Sequence, residues 1–200
     1  MIFSTAYLAP IEYYYHFLRS EKSVVDAGER YDKQSYRTRC RIASANGVVD
    51  LNIPVKKYAN HSLVRDIRIA YDEEWQRNHW RTIVSSYKSS PFFDYYQDDL
   101  LPFYEKKYEF LIDFNTELQN VIFSLLDVEQ STKVVDYKDI SIDPTFDFRG
   151  IKIHPKQKNI TLEITPYYQV FAQKIGFQPN LSILDLICNM GPESRLLLLQ

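Results

Sequence analysis

Apolar residues recur along the chain at two spacings, and each spacing predicts a different kind of element. Ile2 to Leu8 reads as a first strand closed by Pro10, and Ser23 to Ala27 as a second. Between them Ile11, Tyr14, Tyr15 and Leu18 fall at i, i+3, i+4 and i+7, the period of a short amphipathic helix. From Arg39 to Val55 the pattern becomes a hairpin: Val49, Leu51, Ile53 and Val55 alternate with other positions, and Asn46-Gly47 offers the positive φ angles of a tight turn. A short strand is expected at Asp66 to Ala70. The middle third is helical by pattern, with Trp75, Ile83, Val84 and Tyr87 on one arc and Pro91 as the stop. A second helical stretch follows Pro102. A third opens at Asn115 as N-cap, with Leu118, Val121, Ile122 and Leu125 as its core stripe.

Beyond that stripe, Lys133 to Tyr137 reads as a strand, Asp139 to Arg149 as a long polar excursion, and Gly150 to His154 and Asn159 to Ile164 as strand-like pieces. Ser182 with Asp185 three residues on is a variant capping box, opening a helix through Leu184, Leu186 and Ile187. No repeat, low-complexity tract or linker divides the chain. The expectation is therefore one mixed α/β domain over residues 1–200, with a central mixed sheet and a helical middle third.

Composition narrows the class. The chain has 200 residues, a formal net charge of −2 and two cysteines, Cys40 and Cys188, far apart in sequence. That argues against a disulfide framework and a structural zinc site. No apolar run approaches the roughly 18 residues of a membrane helix, and the N-terminal stretch lacks the basic region of a signal peptide, so a soluble cytoplasmic protein without membrane insertion is expected. Residues 61–200 hold 15 basic and 20 acidic side chains, which disfavours a nucleic-acid partner. Five glycines leave no GxGxxG or P-loop, so no nucleotide fingerprint identifies a cofactor. Aromatic residues reach 15%, with 16 tyrosines. Tyrosine couples an apolar body to a polar tip, which suits a packed core as well as a pocket wall or an interface.

The densest chemistry lies in residues 30–41, where Arg30, Lys33, Arg37, Arg39 and Arg41 face only Asp32, a local charge of +4. Lys33, Ser35, Tyr36, Arg37 and Arg39 could grip a phosphate or carboxylate through several N–H and O–H donors. Alternatively, Arg37, Arg39 and Arg41 form the solvated outer face of the hairpin's first strand. His79 sits on the helical arc with Trp75 and Ile83. It is either a general acid or base or a core histidine satisfied by one partner. Tyr7 and Trp80 are candidate pocket walls. Asp26 and Glu29, at the end of the second strand, are either bases or partners of Arg37 and Arg39. Asp185 reads as a helix-start carboxylate and Cys188 as a packed thiol. His16, His61 and His154 share no spacing with His79, and no metal site is expected.

Taken in order, several segments carry a resemblance: 4–13 (Ser-Thr-Ala-Tyr-Leu-Ala-Pro-Ile-Glu-Tyr), 31–39 (Tyr-Asp-Lys-Gln-Ser-Tyr-Arg-Thr-Arg), Asn46-Gly47, Ile53-Pro54-Val55, 75–80 (Trp-Gln-Arg-Asn-His-Trp), 90–96 (Ser-Pro-Phe-Phe-Asp-Tyr-Tyr), 177–186 and 189–193. Together they resemble the WbqC-like protein family, in the form of its Bacteroidetes-type members. The resemblance implies a role in O-antigen or other surface-polysaccharide biosynthesis, and it brings no reaction with it. Many members carry Gln-Pro where this chain has Thr5-Ala6, so that glutamine's role does not transfer. Lys33, Ser35, Arg37, Arg39 and His79 do fit the pattern, which favours the cationic loop as functional. Two functions are therefore expected as alternatives. One is an enzyme, such as a transferase, for a sugar, nucleotide-sugar or other anionic small molecule, with a homodimer among its expected assemblies. The other is a non-catalytic, tyrosine-rich binding or assembly module.

Overall fold

The computed structural model describes residues 1–20, 22–137, 143–149, 153–155 and 162–199. The chain is mixed α and β as its pattern predicts, but its parallel and antiparallel pairings fall in two separate sheets. The first is parallel, with order β5-β2-β1-β6: β1 Ile2–Phe3, β2 Val24–Asp26, β5 Val134–Val135 and β6 Asp147–Phe148. Ile2 pairs with Val24 on one side and Asp147 on the other, and Val25 pairs with Val134. α1 (Ile11–Leu18) makes the crossover from β1 to β2 and buries Ile11, Tyr14 and Phe17. β1 is shorter than the expected Ile2 to Leu8. Past Phe3 the backbone leaves the sheet: the Tyr7 N–H donates to the Tyr36 carbonyl, and Leu8 turns at a φ of +42°.

The second sheet is the hairpin of β3 (Arg39–Ser44) and β4 (Gly47–Asn52), in register from Arg39↔Asn52 to Ser44↔Gly47. Cys40 and Ile42 are buried on its inner face. On the outer face Arg39 Nε donates to Asn52 Oδ1 and Arg41 Nε to Asp50 Oδ1, each at 2.9 Å. The turn sits one residue earlier than Asn46-Gly47: Ala45 and Asn46 form the loop, and the positive φ, +116°, falls on Gly47. The strand expected at Asp66 to Ala70 is instead a 3₁₀ turn, Val64–Asp66, followed by an extended run with single bridges to Val55 and Phe110. Two different neighbours flank that run, so it extends no ladder.

Helices cover the centre: α2 Trp75–Tyr87, α3 Phe93–Leu100, α4 Pro102–Glu105 and α5 Leu111–Leu125. α3 escapes a pattern reading because it buries only Phe93 and Leu100. α5 starts at Leu111, not at Asn115, because Leu111, Ile112 and Phe114 extend the apolar stripe backwards. Asn115 is interior, and its Nδ2 donates to the Arg37 carbonyl at 2.9 Å. Within the expected excursion of 139–149, Asp147–Phe148 is a sheet strand. The strand-like pieces at 150–154 and 159–164 fall largely outside the described residues, and the described positions 153–154 and 162–164 are not strand. After α6 (Ala172–Ile175), Ser182 caps α7 (Ile183–Met190) by accepting from the Leu184 N–H, and α8 (Ser194–Leu199) follows. Asp185 does not complete a capping box: its carboxylate accepts from Tyr87, Tyr167 and Gln169.

The core joins the inner faces of both sheets to α1, α2, α5 and α7 and absorbs much of the aromatic content, including Tyr7, Tyr13, Tyr14, Tyr87, Phe3, Phe17, Phe114 and Phe123. Both cysteines are buried free thiols.

Candidate functional site

All four strands of the parallel sheet run the same way, so their carboxyl ends share one edge. There the chain delivers Ser4 after β1, Asp26 and Glu29 at and after β2, Asp136 after β5 and Arg149 after β6. From β1 the chain moves to β2 and then β5 on one side, and returns to β6 on the other, so the crevice between β1 and β6 is a topological switch point. Open parallel sheets bind their ligands at such a place.

Asp26 is fully buried. Its Oδ1 accepts from the Gly28 and Tyr137 N–H groups at 2.8 and 3.1 Å, and its Oδ2 from Arg149 Nη1 at 2.6 Å. Arg149 also forks onto Asp147, with Nε to Oδ1 at 3.0 Å and Nη2 to Oδ2 at 2.8 Å. These bonds, those to Asp147 foremost, hold the guanidinium charged, and it stays a quarter exposed at the edge. Asp136 pairs with Arg65, and its carboxylate lies close against Gly28, so a side chain there would make it shift.

Beside this pair lies a second one. Arg37 grips Glu29 bidentately, Nε to Oε1 at 2.9 Å and Nη2 to Oε2 at 2.6 Å. Its remaining donors reach Ser35 Oγ at 3.1 Å and Ser4 Oγ at 2.8 Å, and the Ser4 hydroxyl donates to Glu29 Oε2 at 3.0 Å. Burial raises the Glu29 pKa, with Arg37 and Ser4 pulling the other way. Arg37 thus folds inward but already holds a carboxylate of its own chain. A guest anion would have to displace Glu29 to use it.

The other candidates divide by location. Lys33 is exposed, Ser35 and Tyr36 are buried, and Arg39 lies on the outer face of the hairpin between Asn52 and Asp50. Glu29 and Asp50 therefore pair with three of the segment's five cations, Arg37, Arg39 and Arg41, and bring its local charge from +4 to +2. Tyr7 and His79 meet under the hairpin: Tyr7 Oη lies 3.0 Å from His79 Nδ1 and 2.9 Å from Tyr104 Oη, and the imidazole also hydrogen-bonds the Asn52 carbonyl. A carbonyl only accepts, so the ring donates there and Nδ1 accepts from Tyr7. Burial lowers the His79 pKa to about 4, leaving it neutral at physiological pH. Trp80 is half-buried against Tyr104 and Phe93. Ser4 and Tyr7 are three residues apart, at most about 10 Å between their Cα atoms, so one short stretch of chain contributes to both the edge cluster and the histidine's surroundings.

Sequence reasoning missed Ser4, Arg149, Asp147 and the Arg65–Asp136 pair as parts of a site. Ser4 was hidden in an overlong strand and Arg149 in an apparent excursion. Only the strand order joins positions 4, 26 and 149. Among the described residues no group of three or more His, Cys, Asp or Glu is placed to hold a metal ion, and no helix is long and apolar enough to cross a membrane.

Comparison with known proteins gives two matches. The model of the WbqC-like protein family matches residues 5–158. The uncharacterized protein Rv1507c of Mycobacterium tuberculosis (strain ATCC 25618 / H37Rv) is 26% identical over an alignment covering 82% of this chain and 82% of that protein. No solved structure matches.

Proposed function

The chain belongs to the WbqC-like protein family, and from that membership together with the sheet edge we propose an enzyme that transfers a group to or from a sugar at the carboxyl ends of the parallel strands. The observation that carries this reading is the pairing of two buried carboxylates, Asp26 and Glu29, with two arginines beside the β1/β6 switch point. Buried ion pairs are costly to assemble and are weak evidence for stability, so their concentration where parallel sheets bind ligands favours a functional purpose.

In this reading Arg149, partly exposed, contacts the phosphate or carboxylate of a nucleotide-sugar or related anionic substrate, and Asp26 fixes its direction. Glu29, whose burial raises its basicity, takes the proton of the acceptor hydroxyl, with Ser4 between it and the crevice. Arg37 and Ser35 position Glu29. Lys33, exposed, and Arg39, paired with Asp50 on the outer face of the hairpin, lie outside this centre. His79 stays neutral and orients Tyr7. The setting is surface-polysaccharide assembly on the cytoplasmic side. The alternative, a tyrosine-rich assembly module, needs a broad exposed aromatic surface, whereas eight of the tyrosines are buried.

The test is calorimetric titration with a panel of nucleotide-sugars and sugar phosphates, comparing the unsubstituted protein with Arg149→Ala. The expected result is binding of at least one member, weakened at least tenfold by the substitution. Affinity indifferent to Arg149 overturns the assignment.

A further inference from the structure

One groove plays no part in the chemistry above. It lies between the first turns of α5 and β5, the outer strand of the parallel sheet, and encloses about 550 Å³, within the range of about 300–1,000 Å³ usual for small-molecule sites. Its apolar floor is Ala27, Ile112, Val134 and Tyr108. Val134 is 42% exposed, an apolar side chain of a sheet strand left open to solvent. The helical period sets Asp113, Thr116 and Glu117 along the side of α5 that borders this floor.

Charges at the rim balance: Arg65, Lys106 and Lys107 stand against Glu109, Asp113 and Glu117. Most are already paired within the chain. Glu117 meets Lys106 at 3.6 Å and accepts from the Tyr108 hydroxyl at 2.6 Å, Glu109 pairs with Arg68, and Arg65 pairs with Asp136. Three polar groups remain for a guest. Among the described residues Asp113 makes no hydrogen bond or ion pair, and Lys107 lies over the Tyr71 ring without a carboxylate partner. The Thr116 hydroxyl oxygen is buried and has no partner, an arrangement that costs free energy until something bonds to it.

These groups select against a charged guest. A phosphate or carboxylate would face the unpaired Asp113, and a cation would face Lys107, in a groove without net charge to offset the repulsion. A neutral molecule with several hydroxyls satisfies all of them, donating to Asp113, accepting from Lys107 and bonding either way with Thr116. Its C–H face would cover Val134 and the Tyr108 ring. Hydroxyls around the edge and C–H bonds on the face describe a sugar ring.

We infer that this groove binds an uncharged sugar, the acceptor of the transfer proposed above. Its position suits that role: Ala27 directly follows Asp26, and Arg65 at the rim pairs with Asp136, whose carboxylate lies against Gly28 at the sheet edge. The role of acceptor rests on the reading of the sheet edge, whereas the capacity to bind a neutral sugar rests on the groove alone.

Saturation-transfer NMR and calorimetric titration with methyl glycosides and N-acetylhexosamines, all uncharged, test it. At least one is expected to bind, with an affinity that stays constant as salt is raised, because no ion pair forms. Asp113→Ala, at an exposed position, should weaken binding about tenfold or more, and Thr116→Val, of nearly equal volume, about fivefold. Sugar phosphates and nucleotide-sugars are titrated into the same variants and into Arg149→Ala. A glycoside panel in which nothing binds, an affinity indifferent to Asp113, or one that falls steeply with salt overturns the groove, and leaves the sheet edge standing when an anionic sugar still binds through Arg149. Glycoside binding lost in Asp113→Ala while no anionic sugar binds supports the groove and removes the acceptor role.

Discussion

Replacing Arg37 by alanine probes the most heavily bonded side chain of the edge cluster. The Arg37 and Glu29 side chains are 4% and 8% exposed, and the guanidinium makes four hydrogen bonds, two to Glu29 and one each to Ser4 and Ser35. Removing it leaves Glu29 charged and buried without a counter-ion, which typically costs about 3–5 kcal/mol. For a chain of this length, where 1 kcal/mol shifts the melting temperature by about 2–4 °C, the expected drop is roughly 10 °C. Urea denaturation followed by circular dichroism measures the free energy. Removing both partners differs from removing one: Arg37→Met combined with Glu29→Leu should recover most of the loss, because paired apolar groups of similar volume need no solvation. The reasoning fails if Arg37→Ala lies within about 1 kcal/mol of the unsubstituted protein, or if the double substitution is as damaging as the single one.

Three further outcomes are expected. His79 titrates at about 4 when folded and 6.5 when unfolded, so the unfolded chain binds its proton more strongly and stability falls as pH drops between those values. The contribution reaches about 3 kcal/mol at pH 4, and the difference between the unsubstituted protein and His79→Gln in denaturation series at pH 4.5 and 7.5 isolates it. Asn180 accepts from the Glu12 N–H at the start of α1 and holds a φ of +54°. Asn180→Ala should therefore cost about 1–2 kcal/mol and Asn180→Gly less, since glycine keeps the backbone angle. At Gly191, φ +54°, an added Cβ would press on the rigid Phe92 ring, and Gly191→Ala should lose about 1–3 kcal/mol by thermal denaturation.

What could be read in advance follows the range of the interaction that fixes each element. α1, α2 and the β3–β4 hairpin carry their period within one or two turns of chain, so the sequence predicts them. β1 and α5 were misjudged at their ends because contacts from elsewhere decide them: the Tyr36 carbonyl draws Tyr7 out of the sheet, and buried Leu111 and Phe114 extend α5 beyond Asn115. The edge cluster joins residues 4, 26, 37 and 149, its hydrogen bond from Arg149 to Asp26 spans 123 positions, and no local pattern records a parallel strand order. The local alternative in which Glu29 pairs with Arg37, eight residues away, is the one the structure contains. Glu29 and Asp50, the acids that pair with Arg37, Arg39 and Arg41, lie outside the basic run in sequence, so the run by itself does not record those pairings.

Comparing Arg149→Ala with Arg39→Ala in the same calorimetric panel of nucleotide-sugars and sugar phosphates tests the placement of the site most directly. Arg149 stands at the switch point and Arg39 on the outer face of the hairpin, and neither substitution removes a core side chain. The account predicts that a bound member of the panel loses at least tenfold in affinity with Arg149→Ala and changes less than about twofold with Arg39→Ala. The opposite ordering, or a panel in which nothing binds, would contradict it.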